Sequence, residues 1–229
     1  MEQYKHTIYK TGRVRQGDIF RNVRFHESFH YQDGLLDLSF IDFPHVLVLT
    51  QDCDLEQEFS LKNPEANCVP YSSDRNQEIF VDKALISVLV APLYNYDQFF
   101  DGDHMADCFK HIYPSSYQVK TRPIPRDKTQ GKDIRQNVNP RFHFLSLVDE
   151  SILRDSIIDF KHYFSVSLRE LEVLRKTNYI CTISQLYREK VSHRFVSYLS
   201  RIGLPASKEQ TRSEERLVGK ECRSRWSTY

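Results

Sequence analysis

The sequence predicts an α+β protein built around a small β-barrel, and three observations carry that expectation. Tyrosine and phenylalanine are abundant and glycine is scarce (13 Tyr, 15 Phe and 7 Gly in 229 residues), a bias that favours strands. Residues 45–50 and 85–92 are short, continuous apolar runs, which read as strands buried on both faces. Residues 182–202 instead repeat apolar positions at helical spacing.

The elements follow in order. Residues 14–20 place a Gly17-Asp18 turn signal between apolar stretches, and residues 35–43 alternate apolar and acidic positions as a half-exposed strand does. Pro44 then leads into His45, Val46, Leu47, Val48, Leu49 and Thr50. Turn-rich segments around Pro64 and Ser73 and a short helix separate this run from the second one, ending at Ala91-Pro92. Two buried strands joined in this way suggest the barrel. Residues 99–140 are polar and irregular. Within them, residues 120–132, bounded by Lys120 and Lys132, carry two prolines and five Lys/Arg and read as an exposed basic loop. Residues 141–145 and 157–166 return to strand character, and a helix is expected over 168–176. The last helix has a capping box from Thr182 to Gln185 and one apolar face that includes Leu186, Val191, Phe195 and Leu199. Gly203 and Pro205 end it. The division is therefore a β-rich region over 1–150 with an inserted loop at 99–140, then a strand-and-helix region over 151–211 packed on it.

Residues 212–229 resemble the translation of an adapter used in short-read sequencing, with Leu217 and Thr228 as departures, and are expected to be a non-native, disordered tail. The whole chain has 32 Lys+Arg and 31 Asp+Glu; removing the tail's five and three leaves 27 and 28, so the net charge moves from +1 to −1. A globally basic, nucleic-acid-coating protein is thereby excluded, although local basic patches are not. No apolar run is long enough to span a bilayer, and the first ten residues lack a signal-peptide core. Four irregularly spaced cysteines (53, 68, 108 and 181) do not make a disulfide framework, and a cytoplasmic setting is expected.

Three stretches of the first region resemble the MazF/PemK family of toxin-like growth inhibitors: Gln16-Gly17-Asp18-Ile19, the Pro44-led run through Thr50, and Val88 to Leu93. The likeness covers about residues 12–98. It implies an SH3-like β-barrel and endoribonuclease action on messenger RNA. It also implies an arginine before the central proline and a hydroxyl after the later one; this chain has Phe43 and Leu93-Tyr94 there.

Three constellations are candidates for chemistry. In the first, Cys53 stands between Asp52 and Asp54 at the end of a buried strand. Two carboxylates raise a thiol's pKa, which opposes a nucleophilic role. A small buried cysteine, with Asp52 or Asp54 capping a helix from Leu55, is the structural alternative to catalysis or metal binding. In the second, His104, Cys108 and His111 share one face of a helix, if the segment is helical. They suit zinc, with Cys53 or Cys68 completing four ligands, or they form an unliganded polar face. In the third, Arg141 and His143 lie on one side of an extended segment, where they are either a phosphate-holding and proton-moving pair or ordinary strand residues. Walker A, GxGxxG, HExxH, GxSxG and EF-hand motifs do not occur, and no cofactor is expected.

The functional expectation is a toxin-like or host-defence RNA-binding protein, acting as an endoribonuclease through Arg141 and His143, with RNA also meeting the 120–132 loop. A noncatalytic protein-interaction module of a bacterial defence or regulatory system is the alternative. A zinc-stabilised regulatory protein is a third reading.

Overall fold

A computed structural model describes residues 3–9, 12–63, 84–110, 113 and 116–200. His111, Cys68, Gly203, Pro205 and the 212–229 segment lie outside the described residues.

The apolar runs of the sequence become strands that present side chains to two separate cores. Val46 and Val48 enter one core while Leu47 and Leu49 enter the other, the period-two alternation of a strand covered on both faces. Val46, Leu47 and Val48 end β3 (Leu35–Val48), which follows β1 (His6–Thr7) and β2 (Asp18–Gln32), and Leu49 comes directly after it. After α1 (Asp52–Lys62) come β4 (Ser87–Asn95), α2 (Tyr96–Asp101) and α3 (Thr129–Arg135). The chain ends with β5 (Phe142–Leu145), β6 (Ser156–Asp159), β7 (Phe164–Ser167), α4 (Leu168–Leu174), β8 (Tyr179–Ile183) and α5 (Gln185–Leu199).

All eight strands join one antiparallel sheet in the order β1-β8-β2-β3-β4-β6-β5, with β7 also on β4. The sheet curls until its two edges touch. At the seam, Tyr4 N donates to Ser146 O (2.7 Å) and Val148 N donates to Tyr4 O (3.1 Å), a parallel bridge between the β1 and β5 ends. The inner core gathers Tyr4, Ile19, Leu47, Leu93, Leu145, Ile158, Phe160 and Ile183, and α5 covers it with Val191 and Phe195. The outer core packs Phe20, Val46, Val90, Phe144 and Ile157 beneath Phe99, Phe100, Leu168 and Leu171. Strands from both sides of residue 150 share this sheet, because β8 pairs with β2 and β6 with β4.

One part of the sheet stands apart. Asp33 and Gly34, with φ of 52° and 79°, turn β2 into β3, as a two-residue hairpin with two positive φ values requires. Beyond Arg24 and Asp42 the two strands pair only with each other, and Phe29 and Tyr31 are 76% and 75% exposed there.

Several local expectations change. Residues 103–110 are turns rather than a helix, so His104 and Cys108 do not share a helical face. α1 begins at Asp52, not Leu55, and its N-cap is Gln51 with no side-chain cap. Thr182 lies inside β8 and α5 starts after Ser184, again without a side-chain cap, so the capping box does not form. Residues 157–166 split into β6 and β7 around a 3-10 turn at Phe160–His162. The basic loop is cut short by α3, which starts at Thr129. The helix expected over 168–176 forms as α4. Among the described residues no helix is long and apolar enough to cross a membrane.

Candidate functional site: two polar clusters and a basic cleft

The segment before β2 folds over the start of α1. Gly17 takes φ of 81°, a left-handed backbone that favours glycine, and its N–H donates to Val48 O at 2.9 Å. Arg13 grips Asp52 with two bonds of 2.8 and 3.0 Å, Gln16 N donates to Asp52 at 3.2 Å, and Arg188 adds an ion pair at 3.1 Å. Burial pushes the Asp52 pKa up, but the Arg13 bond and the Arg13 and Arg188 charges outweigh it and hold the group below its ordinary value. Asp52 is thus saturated by cations, and its partners fasten the loop to α1 and α5. Cys53 is exposed, its thiol 3.6 Å from Gln51 Oε1 and from Asp54 Oδ1. Neither Arg141 nor His143 is among the polar partners of Cys53, Asp52 or Asp54.

Arg141 and His143 have different surroundings. His143 is fully buried and its Nε2 lies 2.7 Å from the Tyr4 hydroxyl, so the pair locks the seam of the sheet. Burial first, then the charges of Arg194 and Lys190, push its pKa down to about 3. It therefore stays neutral, and its Nδ1 is sealed without a hydrogen-bond partner among the described residues. Arg141 instead forms a two-bond pair with Asp159, at 2.8 and 2.6 Å.

That pair belongs to a cluster that motif and spacing do not reveal. Asp159, at the end of β6, is almost fully buried and is 3.1 Å from His162 Nδ1; Tyr94 Oη is 3.2 Å from the same nitrogen. The 3-10 turn at 160–162 brings Asp159 and His162 together, and its first turn is capped by Asp159 accepting from Lys161 N at 3.0 Å. His104 packs its ring on Tyr94 and Phe99 at 4.6 and 4.7 Å. Burial lowers the His104 pKa to about 4 and, against the nearby Asp159 charge, lowers that of His162 as well. Burial likewise raises the Tyr94 hydroxyl. Asp-x-x-His on a strand with apolar neighbours is the one signal available, since a carboxylate on a buried strand demands partners. Cys108 is buried, its thiol 3.9 Å from Asp42 O and its pKa raised by burial to about 11. Among the described residues no group of three His, Cys, Asp or Glu is placed to hold a metal ion.

The third feature is a cleft of about 710 Å³ between α3 and α5. Lys132, Arg135, Lys190 and Arg194 line it with Gln136, Asn137 and Phe144, and no carboxylate among the described residues does. Arg194 is fixed in the wall by the carbonyls of Asn137, Asn139 (2.7 Å) and Phe142 (2.9 Å). The same Asn139 accepts from Arg141 N at 3.0 Å through its side chain, so one short loop separates the basic cleft from the Asp159 cluster. Of the sequence candidates, Lys132 and Arg141 flank this loop. Comparison of the chain with protein-family models, with characterised proteins and with solved structures returned no match.

Proposed function

We propose that the protein binds single-stranded RNA, seating the phosphate backbone in the cleft between α3 and α5. The observation that carries this reading is the lining: four cationic side chains and, among the described residues, no carboxylate, in a chain whose charge otherwise nearly balances. Among the described residues no lining carboxylate repels an anion seated beside Lys132 and Arg194, and Phe144 and the amides of Gln136 and Asn137 suit a base or sugar there. The cleft's size falls within the usual range for a nucleotide-sized ligand.

The likeness to MazF/PemK proteins supports the same substrate class, and the curled sheet with touching edges is compatible with an SH3-like barrel. The toxin-like or host-defence role and the cytoplasmic setting rest on that likeness and on the sequence alone. His143 has no part in phosphodiester chemistry in this reading, because its Nε2 is taken by Tyr4 and its Nδ1 is sealed.

Fluorescence anisotropy with a labelled single-stranded RNA tests the reading. Removing two cations with Lys132→Ala and Lys190→Ala is expected to weaken binding at least tenfold. Each phosphate left without its cation should flatten the salt dependence of log K by roughly 0.7. Wild-type protein that does not bind, or a double variant that binds equally well, overturns it.

One observation favours the protein-interaction alternative. The hairpin beyond Arg24 exposes Phe29, Tyr31, Leu36 and Leu38 on one face, where Phe29 pairs with Leu38 and Tyr31 with Leu36, and Leu35 on the other. Sedimentation velocity at rising protein concentration tests it for self-association. Dimers that Phe29→Ser with Leu36→Ser abolishes would support it, and a monomer at every concentration would remove a second copy as the partner.

A further inference from the structure

The four cations of the cleft are not equivalent, and Arg194 stands apart from the rest. A guanidinium has five N–H donors in a fixed fork. Nη1 of Arg194 donates to Asn137 O, and Nη2 donates to Asn139 O at 2.7 Å and to Phe142 O at 2.9 Å. Nε is sealed without a partner among the described residues. A single N–H of Nη1 remains, whereas the two-pronged grip of an arginine on a phosphate takes two parallel N–H groups. Arg194 lines the cleft with most of its donors already engaged.

The three carbonyls that engage it all belong to the chain between α3 and the start of β5. Asn137 comes just after the Gln136 cap of α3 with φ of 58°, a left-handed turn that asparagine tolerates. Val138 N donates to Asp133 O at 2.8 Å and closes the end of the helix. The Asn137 side chain then pairs with β5 much as a neighbouring strand would, accepting from Phe144 N at 2.6 Å and donating to Phe144 O at 3.2 Å. With seven residues, α3 is too short to hold its place by helical hydrogen bonding alone. It relies on Ile134 in the outer core and on this loop. Lys132 and Arg135 ride on α3, while Lys190 stands on α5 one turn before Arg194. Arg194 therefore joins the two walls of the cleft through backbone carbonyls, which suit a cation just past a helix C-terminus.

We propose that Arg194 is a positioning residue of the cleft: it clamps the loop after α3 to α5 and so sets the α3 cations opposite Lys190, without itself seating a phosphate. This rests on the RNA reading above and deepens it, dividing the lining into cations that hold the ligand and one that holds the walls. Lysine is no substitute, because one compact ammonium does not reproduce the planar fork that reaches carbonyls at 137, 139 and 142. With the clamp closed, RNA meets walls already in place and does not have to order them on binding.

The test is fluorescence anisotropy with a labelled single-stranded RNA over a range of salt. Arg194→Lys keeps the charge and loses the clamp, so binding should weaken at least about fivefold. A cation acting directly on a phosphate would be rescued by lysine. The same change is then made in a chain that already carries Lys132→Ala and Arg135→Ala, which leaves neither α3 cation of the lining to position. There it should weaken binding less than about twofold, the non-additivity of residues that act through one another. Asn139, outside the cleft lining, accepts from Arg141 N through its side chain and steadies the same loop. Asn139→Ala keeps all four cations and decides the matter if Arg194→Lys does not fold. It should weaken binding at least about threefold while the slope of log K against log salt stays as in wild type. Wild-type protein that does not bind RNA overturns the binding reading and this one with it. Where wild type binds, an Arg194→Lys affinity within about twofold of it, or equal losses in the two backgrounds, overturns the clamp alone. So does an Asn139→Ala chain that binds as wild type does.

Discussion

Asp18, fully buried at the start of β2, meets the Arg175 guanidinium at 2.9 Å although 157 positions separate them in the chain. Its other partners are the Thr182 hydroxyl and the backbone N–H of Arg15, so one carboxylate ties together the loop, β8 and the segment after α4. Burial outweighs these favourable partners and raises its pKa from 3.8 to about 6. Between those values the folded protein keeps a proton that the unfolded chain has released. Stability from this group is therefore complete below the unfolded pKa and is lost as pH rises through about 6, on the order of 3 kcal/mol. Urea midpoints followed across this range should show the decline in wild type. The decline should be missing from Asp18→Asn, whose amide does not titrate.

His143 works in the opposite direction. Its folded pKa is depressed from 6.5 to about 3, so its contribution is present above the unfolded value and is lost as pH falls towards the folded one. NMR of imidazole nitrogens should show a neutral His143 ring throughout the range in which exposed histidines titrate. A His143 resonance that titrates near 6.5 would contradict its place in the seam. Replacing it with alanine removes the Tyr4 partner and opens a cavity, at a cost of roughly 2–4 kcal/mol in unfolding free energy.

Much of the fold is legible in the sequence, for a physical reason that also explains the misses. Residues 45–50 and 85–92 and the apolar stripe of α5 declare themselves because burial on two faces or on one stripe dictates residue type directly. The hairpin has a signal too: Asp33-Gly34 between two strands is a strong mark of a turn with positive φ. Thr182 and Gln185 satisfy the letter of a capping box, but Thr182 is needed by Asp18 across the sheet and the helix starts later. His104 and Cys108 have helical spacing, yet packing on Tyr94 and Phe99 holds the segment in turns. The closing contact at Tyr4 and the meeting of Arg141 with Asp159 depend on strand order, which local pattern does not encode. The candidate site is legible only as single letters: Arg141, Lys132 and the basic face of the last helix with Lys190 and Arg194 stand out in the sequence, while His162 does not.

Two phenylalanines of β2 give a direct measure of what the sheet buries. Phe20 is fully buried in the outer core and meets Tyr179 edge-on at 5.9 Å, whereas Phe29 projects from the hairpin. Phe20→Ala should cost about 3–5 kcal/mol, from lost transfer free energy and the cavity left behind. Phe29→Ala should change stability by no more than about 0.5 kcal/mol in dilute solution. Comparable losses for both would show that the hairpin tip folds back onto the body or is covered by another molecule.

Gly17 makes the sharpest prediction about the loop that holds Asp52 and Asp18. Its φ of 81° is strained for any residue with a side chain, and an added Cβ would stand 2.8 Å from Ile183 Cγ1 and 3.1 Å from Arg188 Cβ. The first contact is closer than real Cβ atoms come, and the second presses on the helix that carries Arg188. Relief requires the loop or α5 to shift, and both are fastened: Ile183 N donates to Gly17 O at 3.0 Å, and Arg188 is paired with Asp52. Gly17→Ala should therefore destabilise by about 1–3 kcal/mol, combining backbone strain with the collision. Gly34→Ala, with φ of 79° but nothing within 4 Å of its added Cβ, isolates the backbone part. The difference between the two urea midpoints then measures the collision at Ile183, and equal losses would mean that the loop moves aside without cost.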